Sequence, residues 1–444
     1  MSEALGLSVE ALSWMELERL SERQAFAKAS KQLAVKNVSS LRMAQLMIME
    51  TLRRLNLIDE VADEALHPKS LGSFKLGVKN FIRLYIYWTK FHRSSFNEAV
   101  NFLKSGRRLL GWRELRPVEI AFGKILGTDP NDLVSRAANS ERIALETFHP
   151  AWFVQLCSTL LGRGEAVKLL RGNMKPPPTY LRVNTLRGDE EDILNELSKE
   201  GIELEEVVGL RFLYKLVKAK VPLVRTDAYK SGLFHIQDKS SCLCVDIADA
   251  KPRNLVLDIC AAPGSKTSYL AQLMKNRGRI HSVDYSTRRM GVWKKEMNRL
   301  GVKIAEPLIG DARQPLPLNM KADIAVLDPP CTGTGIFART PLAKWRTSPD
   351  TIHVLSKVQW SMLENLCELI KPGGSIIYST CSITLEENEF LIERFLKLHP
   401  DFKLAKARKS IGLPGFRGLV SCQRLYPHIH ESNGFFVAKL VRSY

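Results

Sequence analysis

Apolar residues recur at helical spacing over residues 8–150, and this spacing changes further along the chain. The clearest stretch is Leu41–Leu52, where apolar side chains return at the intervals of one helix face. Runs that alternate between apolar and polar residues, as strands do, are scarce before residue 150. The pattern predicts an all-helical bundle with basic residues on its outside, among them Arg53, Arg54, Arg107 and Arg108.

A shorter, mixed pattern follows the triple proline Pro176–Pro178, which breaks the chain. Strands are predicted near 179–183, 212–217 and 232–236, and a helix near 190–200. These elements indicate a small α+β unit of about 60 residues.

From Asn254 onward, apolar runs alternate with amphipathic stretches as they do in an α/β domain. The predicted strands are 255–259, 279–283, 304–309, 323–327 and 375–379, and the predicted helices are 265–275, 287–300 and 351–370. This alternation predicts a Rossmann-like parallel sheet covered on both faces, with an antiparallel pair at 424–426 and 434–441 added at its edge. The predicted domains are 1–148, 149–240 and 241–444.

Composition restricts the class of protein further. Hydrophobic residues make up 45% of the 444 residues and charged residues 25%, which is an ordinary globular balance. No apolar stretch is long enough to span a bilayer, and Met1-Ser2-Glu3 lacks the basic and apolar segments of a signal peptide. Eight cysteines without zinc-like spacing predict neither a disulfide framework nor a metal site. We therefore expect a soluble, cytoplasmic protein that is a monomer.

The net charge of +18 is spread unevenly along the chain. Residues 1–150 contribute about +5, residues 151–250 about zero and residues 251–444 about +13. A basic excess indicates a polyanionic partner such as nucleic acid. On charge alone, a lysine-rich surface without such a partner is an equal alternative.

A turn of small residues follows the first strand of the predicted α/β sheet, in Asp258-Ile-Cys-Ala-Ala-Pro-Gly264. Small side chains let the backbone approach a ligand closely, and the N-terminus of the following helix favours an electronegative group. The NAD fingerprint GxGxxG is absent, because only Gly264 is available. Ser265-Lys266-Thr267 also departs from a phosphate-binding P-loop, which needs glycine before the lysine.

Acidic residues occur at three consecutive strand ends, as Asp258, Asp284 and Asp311. A carboxylate at the second strand end can accept hydrogen bonds from ribose hydroxyls, and an adenine amine could reach the third. One acidic residue in such a place could be a mere helix cap. Three of them indicate a nucleoside-bearing ligand. S-adenosylmethionine (SAM) fits, because it has an amino acid end, a ribose and an adenine.

Two cysteines follow the fourth and fifth predicted strands, Cys331 in Asp328-Pro-Pro-Cys331 and Cys381 in Ser379-Thr-Cys381. Neighbouring strand ends in one crevice would bring both thiols to the same ligand. A thiolate that adds to C6 of cytosine makes C5 nucleophilic, which is covalent catalysis, and Asp328 could hold the edge of the base. Either cysteine alone could equally be a small buried residue.

Taken in order, these motifs resemble those of the Fmu/Sun family of RNA cytosine-C5 methyltransferases, which includes a 16S rRNA enzyme with a NusB-like N-terminal domain. The matching segments are Asp258–Thr267, Asp284 with Arg289, Arg299–Gly301, Gly310–Ala312, Asp328–Gly335, Ser379–Ser382, Glu386–Asn388, Arg424–His428 and Asn433–Phe436. Ser265 is a departure, since the family more often has glycine there.

The resemblance continues upstream of the α/β region. His149–Trp152, Pro176–Pro178 with Leu181–Asn184, and Gln237–Ser241 look like the family's linker and small RNA-binding unit. Residues 1–145 match only loosely, as an all-helical segment without a distinctive motif. The resemblance implies a NusB-like RNA-binding domain at 1–148, a small α+β RNA-binding unit at 149–240 and a SAM-dependent catalytic domain at 241–444.

The resemblance also implies a role for individual residues. Cys381 would be the nucleophile, and Cys331 would assist release of the methylated base. Asp328 would orient the cytosine, and Lys266 would lie close to the reacting atoms. The residues implied to bind SAM are Cys260, Ala261, Ala262, Pro263, Gly264, Ser265, Lys266, Asp284, Arg289, Asp311 and Asp328.

The sequence leaves three alternatives open. The substrate could be tRNA rather than rRNA. The chain could be a non-catalytic RNA-binding assembly factor, although both cysteines and the acidic strand ends are present. It could also methylate an exocyclic amine, but such enzymes often carry an aromatic residue after Asp-Pro-Pro, where this chain has Cys331.

Overall fold

Residues 8–150 are helical, as the apolar spacing predicts, and the helices continue to Gly172. In the computed structural model, which describes all 444 residues, the helices of this region are α1 (Ser2–Leu17), α2 (Glu22–Gln32), α3 (Val38–Arg53), α4 (Leu55–Leu66), α5 (Leu76–Ile86), α6 (Phe96–Leu110), α7 (Trp112–Leu115), α8 (Glu119–Gly127), α9 (Pro130–Arg136), α10 (Asn139–Thr147), α11 (Ala151–Leu161) and α12 (Arg163–Gly172). Capping residues stabilise the N-termini of several of these helices. Ser21 and Ser95 each complete a capping box, which satisfies backbone amides that the first turn of a helix leaves unpaired.

Aromatic side chains form the centre of this helical region. Phe81 and Tyr85 of α5 pack against Phe102 and Phe122, with ring centroids 5.0 to 6.0 Å apart. Gly106 of α6 faces the same cluster so closely that a Cβ atom there would lie 2.1 Å from the Phe81 ring. Burial of apolar surface is worth about 25 cal/mol per Å². The packing of α5 against α6 therefore contributes strongly to the stability of this region.

The prediction that Arg53 lies on the outside of the bundle is wrong. Arg53 is buried, and its guanidinium donates to the backbone oxygen of Ala338 at 3.0 Å and pairs with Glu50 at 3.2 Å. Arg54 is half-buried and pairs with the same carboxylate, whereas Arg107 and Arg108 are exposed as predicted. A guanidinium can be buried where carbonyl and carboxylate oxygens satisfy its donors, which apolar spacing does not indicate.

A short segment from the C-terminal half of the chain, Phe337–Arg346, belongs to the same compact unit as Met1–Lys175. Lys344 of this segment is buried, and its Nζ donates to the backbone oxygens of Arg53 at 2.7 Å and Phe148 at 2.5 Å. Burial, with the nearby positive charge of Arg53, lowers the pKa of Lys344 well below its usual range. The segment is therefore fixed to the helices by buried hydrogen bonds.

The second compact unit comprises Pro176–Ile336 and Thr347–Tyr444, and it contains two sheets. The smaller is antiparallel with the order β2-β3-β1-β4, from β1 (Tyr180–Val183), β2 (Ile202–Glu206), β3 (Leu213–Ala219) and β4 (Phe234–Ile236), with helices α13 (Glu190–Lys199) and α14 (Asp227–Lys230). Strand β2 was not predicted, because Ile202 is its only buried residue and three of its five residues are glutamates.

The larger sheet has the order β11-β12-β13-β9-β8-β5-β6-β7, and β10 pairs with β13. Its strands are β5 (Leu255–Ile259), β6 (Arg279–Asp284), β7 (Ala305–Ile309), β8 (Ala322–Leu327), β9 (Ile370–Thr380), β10 (Phe402–Ala405), β11 (Leu413–Pro414), β12 (Gln423–Leu425) and β13 (Phe435–Arg442). The remaining helices are α15 (Lys239–Ala248), α16 (Ser265–Leu273), α17 (Thr287–Leu300), α18 (Ala343–Arg346), α19 (Pro349–Leu366), α20 (Glu389–Leu398) and α21 (Pro427–His430). No helix is long and apolar enough to cross a membrane.

The sheet confirms the predicted Rossmann-like architecture. Strands β5 to β9 pair in parallel, and β12 and β13 form the predicted antiparallel addition next to β9. Strand β9 begins at Ile370, five residues before the predicted start at Ser375, because its pairing with β8 continues through an irregularity beyond the glycines at 373 and 374. The chain leaves β5 for β6 on one side and reaches β8 on the other, and ligands bind at such a switch point.

Candidate active site

The turn after β5 is folded tightly against α17. Cys260 and Gly264 both have positive φ angles, of 62° and 109°. A Cβ atom on Gly264 would lie 2.5 Å from Cε of Met297 and 3.0 Å from the ring of Trp293. Glycine is therefore required at this position, both for its φ angle and for the close approach of α17. Helix α16 starts at once, at Ser265, so its N-terminal amides face the crevice at the strand ends.

Asp258, the first of the acidic strand ends, is connected to α16 and α17 by hydrogen bonds. Its carboxyl group is buried and accepts a hydrogen bond from Oγ1 of Thr267, which in turn accepts one from Nε1 of Trp293 at 3.0 Å. Burial raises the pKa of Asp258 to about 7. Asp258 thus fixes α16 and α17 and does not reach the crevice.

Asp284 ends β6 as predicted, and it links the turn to α17. Its Oδ2 accepts from the backbone amide of Ala262 at 3.2 Å and lies 3.4 Å from Nη1 of Arg289, and its Oδ1 accepts from the amide of Ser286 at 3.0 Å. Arg289 also donates to the backbone oxygen of Ala262. The structure therefore brings together Asp284, Arg289 and Ala262, three of the residues predicted to bind the cofactor.

Asp311 follows β7 and is partly exposed, with Arg313 as its partner. Both oxygens of Asp311 accept from the guanidinium, and the shortest distance is 2.6 Å. The hydrogen bonds with Arg313 lower the pKa of Asp311, so its carboxylate stays ionised near neutral pH. Arg313 was not predicted, because the sequence shows only that it lies two residues from Asp311.

Lys266 and Asp328 form an ion pair at the centre of the crevice. Nζ of Lys266 lies 2.6 Å from Oδ2 of Asp328, and Oγ of Ser379 donates to Oδ1 at 3.2 Å. Burial alone would lower the pKa of Lys266, but the charge and hydrogen bond of Asp328, together with the nearby Cys244 and Asp258, outweigh burial and raise that pKa. The side chain of Asp328 is 34% exposed. Its carboxylate is therefore fixed in place and partly open to a ligand.

The two predicted cysteines meet beside this ion pair. Sγ of Cys331 lies 3.0 Å from Sγ of Cys381, and both residues are half-buried. The hydrogen bond to Cys381 raises the pKa of Cys331 well above its usual range, and burial and the charges of Glu387 and Asp328 act in the same direction. Cys331 therefore stays protonated at neutral pH and can donate its S–H to the sulfur of Cys381.

A buried histidine behind the turn was missed by the sequence reasoning. Nε2 of His235, in β4, lies 3.1 Å from Oγ of Ser265, and its Nδ1 lies 3.6 Å from Glu296. Burial lowers the pKa of His235, so the ring is neutral at pH 7. Ser265 stood out because the Fmu/Sun family more often has glycine there. No local pattern indicates that β4, 30 residues earlier, supplies its partner.

These residues fit SAM. The N-terminus of α16 would suit its carboxylate, and Asp284 and the partly exposed Asp311 would be acceptors along the strand ends for its ribose and adenine. The groups that would hold it are those predicted, Cys260–Lys266, Asp284, Arg289, Asp311 and Asp328. The structure has no group of three or more His, Cys, Asp or Glu side chains that could hold a metal ion.

Comparison with known families identifies two segments of the chain. Residues 246–441 match the family model described as 16S rRNA methyltransferase RsmB/F. Residues 149–211 match the model described as the ferredoxin-like domain of RsmF/B-like methyltransferases. The second match covers β1, β2, α13 and the helices that precede them.

Individual relatives extend this match. The probable ribosomal RNA small subunit methyltransferase B of Bacillus subtilis is 34% identical over 303 residues, which cover 67% of each chain. The 25S rRNA (cytosine-C(5))-methyltransferase nop2 of Schizosaccharomyces pombe is 34% identical over 300 residues, and the match spans 63% of this chain and about half, 49%, of that protein.

Two solved structures resemble this chain, one over nearly its whole length and one over about two thirds of it. The crystal structure of PH0851 has a TM-score of 0.85 at 30% identity and covers 99% of this chain and 98% of its own. NSun6 from Pyrococcus horikoshii with SFG has a TM-score of 0.62 at 26% identity and covers 66% of this chain. The site has the acids at the strand ends, the Lys266–Asp328 ion pair and the contact between Cys331 and Cys381, and this geometry agrees with the matches. The chain therefore belongs to the RsmB/F family of SAM-dependent RNA cytosine-C5 methyltransferases.

Proposed function

We propose that this chain methylates C5 of a cytosine in rRNA through a covalent bond between Cys381 and C6 of the base. The observation that carries the mechanism is the 3.0 Å separation of the Cys331 and Cys381 sulfurs next to the Lys266–Asp328 ion pair. When bound, SAM supplies the methyl group. Every other part of the reaction falls to side chains of this site.

The proposed steps use each group once. The thiolate of Cys381 adds through Sγ to C6 while N3 takes up a proton, which makes C5 an enamine-like nucleophile, and Asp328 supports the base through N3 and the N4 amine. After C5 has gained the methyl group, a water molecule accepts the C5 proton and the C5–C6 double bond re-forms. The bond between Sγ and C6 breaks with its electron pair leaving on Sγ, and N3 gives up its proton. The reaction thus ends with 5-methylcytosine and a free thiol.

The contact between the two sulfurs allows the two thiols to have different roles. The raised pKa of Cys331 keeps its sulfur a weak nucleophile, because the thiolate and not the thiol attacks. The sulfur of Cys331 is in contact with that of Cys381, where a thiol at Cys331 can protonate the departing sulfur. This supports Cys381 as the nucleophile and Cys331 as the group that aids release.

Relatives support rRNA as the substrate. The names of the Bacillus subtilis and Schizosaccharomyces pombe relatives specify ribosomal RNA. We further propose that residues 1–148 and 149–240 bind RNA, that residues 241–444 carry out catalysis, and that the protein acts as a cytoplasmic monomer. The target cytosine is unpaired or flipped out, because C5 and C6 must both be reached.

Methyl transfer to purified RNA tests this proposal. Small-subunit rRNA and tRNA, from cells that lack the gene, are incubated with labelled SAM and the protein, and the products are mapped by bisulfite sequencing. We expect one or a few protected cytosines in rRNA and none with Cys381→Ala. Methylation confined to tRNA would refute the rRNA substrate, and a label on an exocyclic amine would refute the C5 chemistry.

A further inference from the structure

Glu387 is a buried carboxylate behind the two cysteines that the proposed mechanism does not use. It is fully buried and accepts five hydrogen bonds. The donors to Oε1 are the backbone amide of Thr332 at 2.8 Å and Nε2 of Gln359 at 2.9 Å. The donors to Oε2 are the hydroxyls of Thr332 at 2.6 Å, Ser382 at 2.5 Å and Thr384 at 2.9 Å. Its acceptor capacity is thus filled from several directions.

Four of these five donors come from the two loops that carry the reactive thiols, and the fifth, Gln359, comes from α19. Thr332 directly follows Cys331, and Ser382 directly follows Cys381. One carboxyl group therefore connects the residues adjacent to both cysteines. Any movement of one loop away from the other would leave Glu387 or its donors unpaired inside the protein, which is costly.

The charge of Glu387 has no cationic partner, unlike that of its neighbour two residues on. Glu389 is equally buried and forms an ion pair with Arg424. The five donors to Glu387 are all neutral groups: one backbone amide, one side-chain amide and three hydroxyls. Burying a carboxylate without a cation is expensive, so stability alone gives little reason for an acid at this position.

We propose that Glu387 is a positioning residue for methyl transfer, which fixes the loops of Cys331 and Cys381 so that their sulfurs stay in contact. This inference rests on the proposed function. Its negative charge also contributes to the raised pKa of Cys331 and so helps to keep that thiol protonated.

Glu387→Gln tests the inference, with Glu386→Gln as the matched control. Glu386 is half-buried and lies next to Glu387 on the same loop, so its variant removes a charge there without breaking any of the five hydrogen bonds to Glu387. For Glu387→Gln we expect kcat to fall about ten-fold or more, while SAM affinity by calorimetry stays within about two-fold of wild type. Glu386→Gln should match wild type in both. A kcat for Glu387→Gln within two-fold of wild type would overturn the inference.

The pH profile supplies a readout that loss of structure would not produce. Removing a nearby negative charge lowers thiol pKa values, so the acid limb of kcat/KM should move to lower pH by about half a unit or more in Glu387→Gln but not in Glu386→Gln. An unchanged pH profile would contradict the electrostatic role of Glu387.

If Glu387→Gln fails to bind SAM, the variant Thr332→Val tests the inference instead. It removes one of the five hydrogen-bond donors to Glu387 and leaves the backbone amide of the loop in place. It should lower kcat in the same direction, and wild-type kcat there would overturn the inference. Wild-type protein that methylates no RNA would instead refute the proposed function.

Discussion

At the scale of single residues, carboxyl groups that look alike in the sequence have different surroundings. Asp258 is buried and accepts a hydrogen bond from Thr267, Asp284 accepts from backbone amides, and Asp328 is partly exposed beside Lys266. The sequence places all of them at strand ends, because parallel strands end at one edge of a sheet. It does not show which acid faces the ligand, since that depends on partners from other elements.

Asp284→Ala should weaken SAM binding about ten-fold or more. The variant removes a charged acceptor at the end of β6 together with the carboxylate that fixes the amide of Ala262, and hydrogen bonds to charged groups are worth about 1.5–3 kcal/mol. Isothermal calorimetry measures the affinity for SAM. Glu306 is an exposed acid in β7, and Glu306→Ala serves as the control. Unchanged affinity in Asp284→Ala would mean that the ribose lies elsewhere.

Asp258→Asn should stabilise the protein more at pH 8 than at pH 5. The folded pKa of Asp258 is raised to about 7 from 3.8. The folded state therefore binds more protons than the unfolded state between these values, and stability from this group falls as pH rises through that window. Asparagine has no charge to bury and can still accept from Thr267. Melting temperatures at the two pH values measure the difference, and an equal effect at both would contradict the buried charge.

At the scale of elements, the sequence predicts those whose apolar spacing reflects burial. Strands β5, β6 and β8 lie within a residue of their predicted bounds, because most of their residues are buried and apolar. Strand β2 was missed because its glutamates face solvent. The loops of Cys331 and Cys381 were predicted to meet, but the role of Glu387 between them was not, because its partners are scattered over 55 residues of sequence.

Gly335→Ala should impair the active-site loop. A Cβ atom on Gly335 would lie 2.1 Å from the backbone oxygen of Gly434 and 2.8 Å from that of Cys381, so β13 or the loop must shift. We expect kcat to fall about ten-fold or more and the melting temperature to drop. Gly291→Ala in α17 is the matched control, since its Cβ would meet nothing within 4 Å and alanine favours helices. A fully active Gly335→Ala enzyme would contradict the close contact.

At the scale of the whole molecule, two compact units share one chain, and the positive charge is concentrated in its second half. The inclusion of Phe337–Arg346 in the helical unit could not be predicted, because no apolar spacing marks a segment that is fixed by the hydrogen bonds of Lys344. The charge of about +13 after residue 250 was visible directly in the sequence.

RNA affinity should therefore fall steeply with salt. Cations that neutralise phosphates release counterions, so the logarithm of the association constant decreases linearly with the logarithm of salt concentration. Filter binding of an RNA that contains the target site, from about 50 to 200 mM salt, measures the slope. Equal affinity across this range would show that the basic excess does not contact RNA.

The central claim is that Cys381 bonds to the cytosine and Cys331 allows its release, and a denaturing gel tests it directly. Labelled RNA is incubated with SAM and each variant, and a slowly migrating band reports RNA covalently joined to protein. We predict a strong band for Cys331→Ala, because the base is methylated but not released, and no band for Cys381→Ala or for the double variant. A band with Cys381→Ala and none with Cys331→Ala would exchange the two roles. No band with any variant, together with normal methylation by Cys381→Ala, would contradict the covalent mechanism itself.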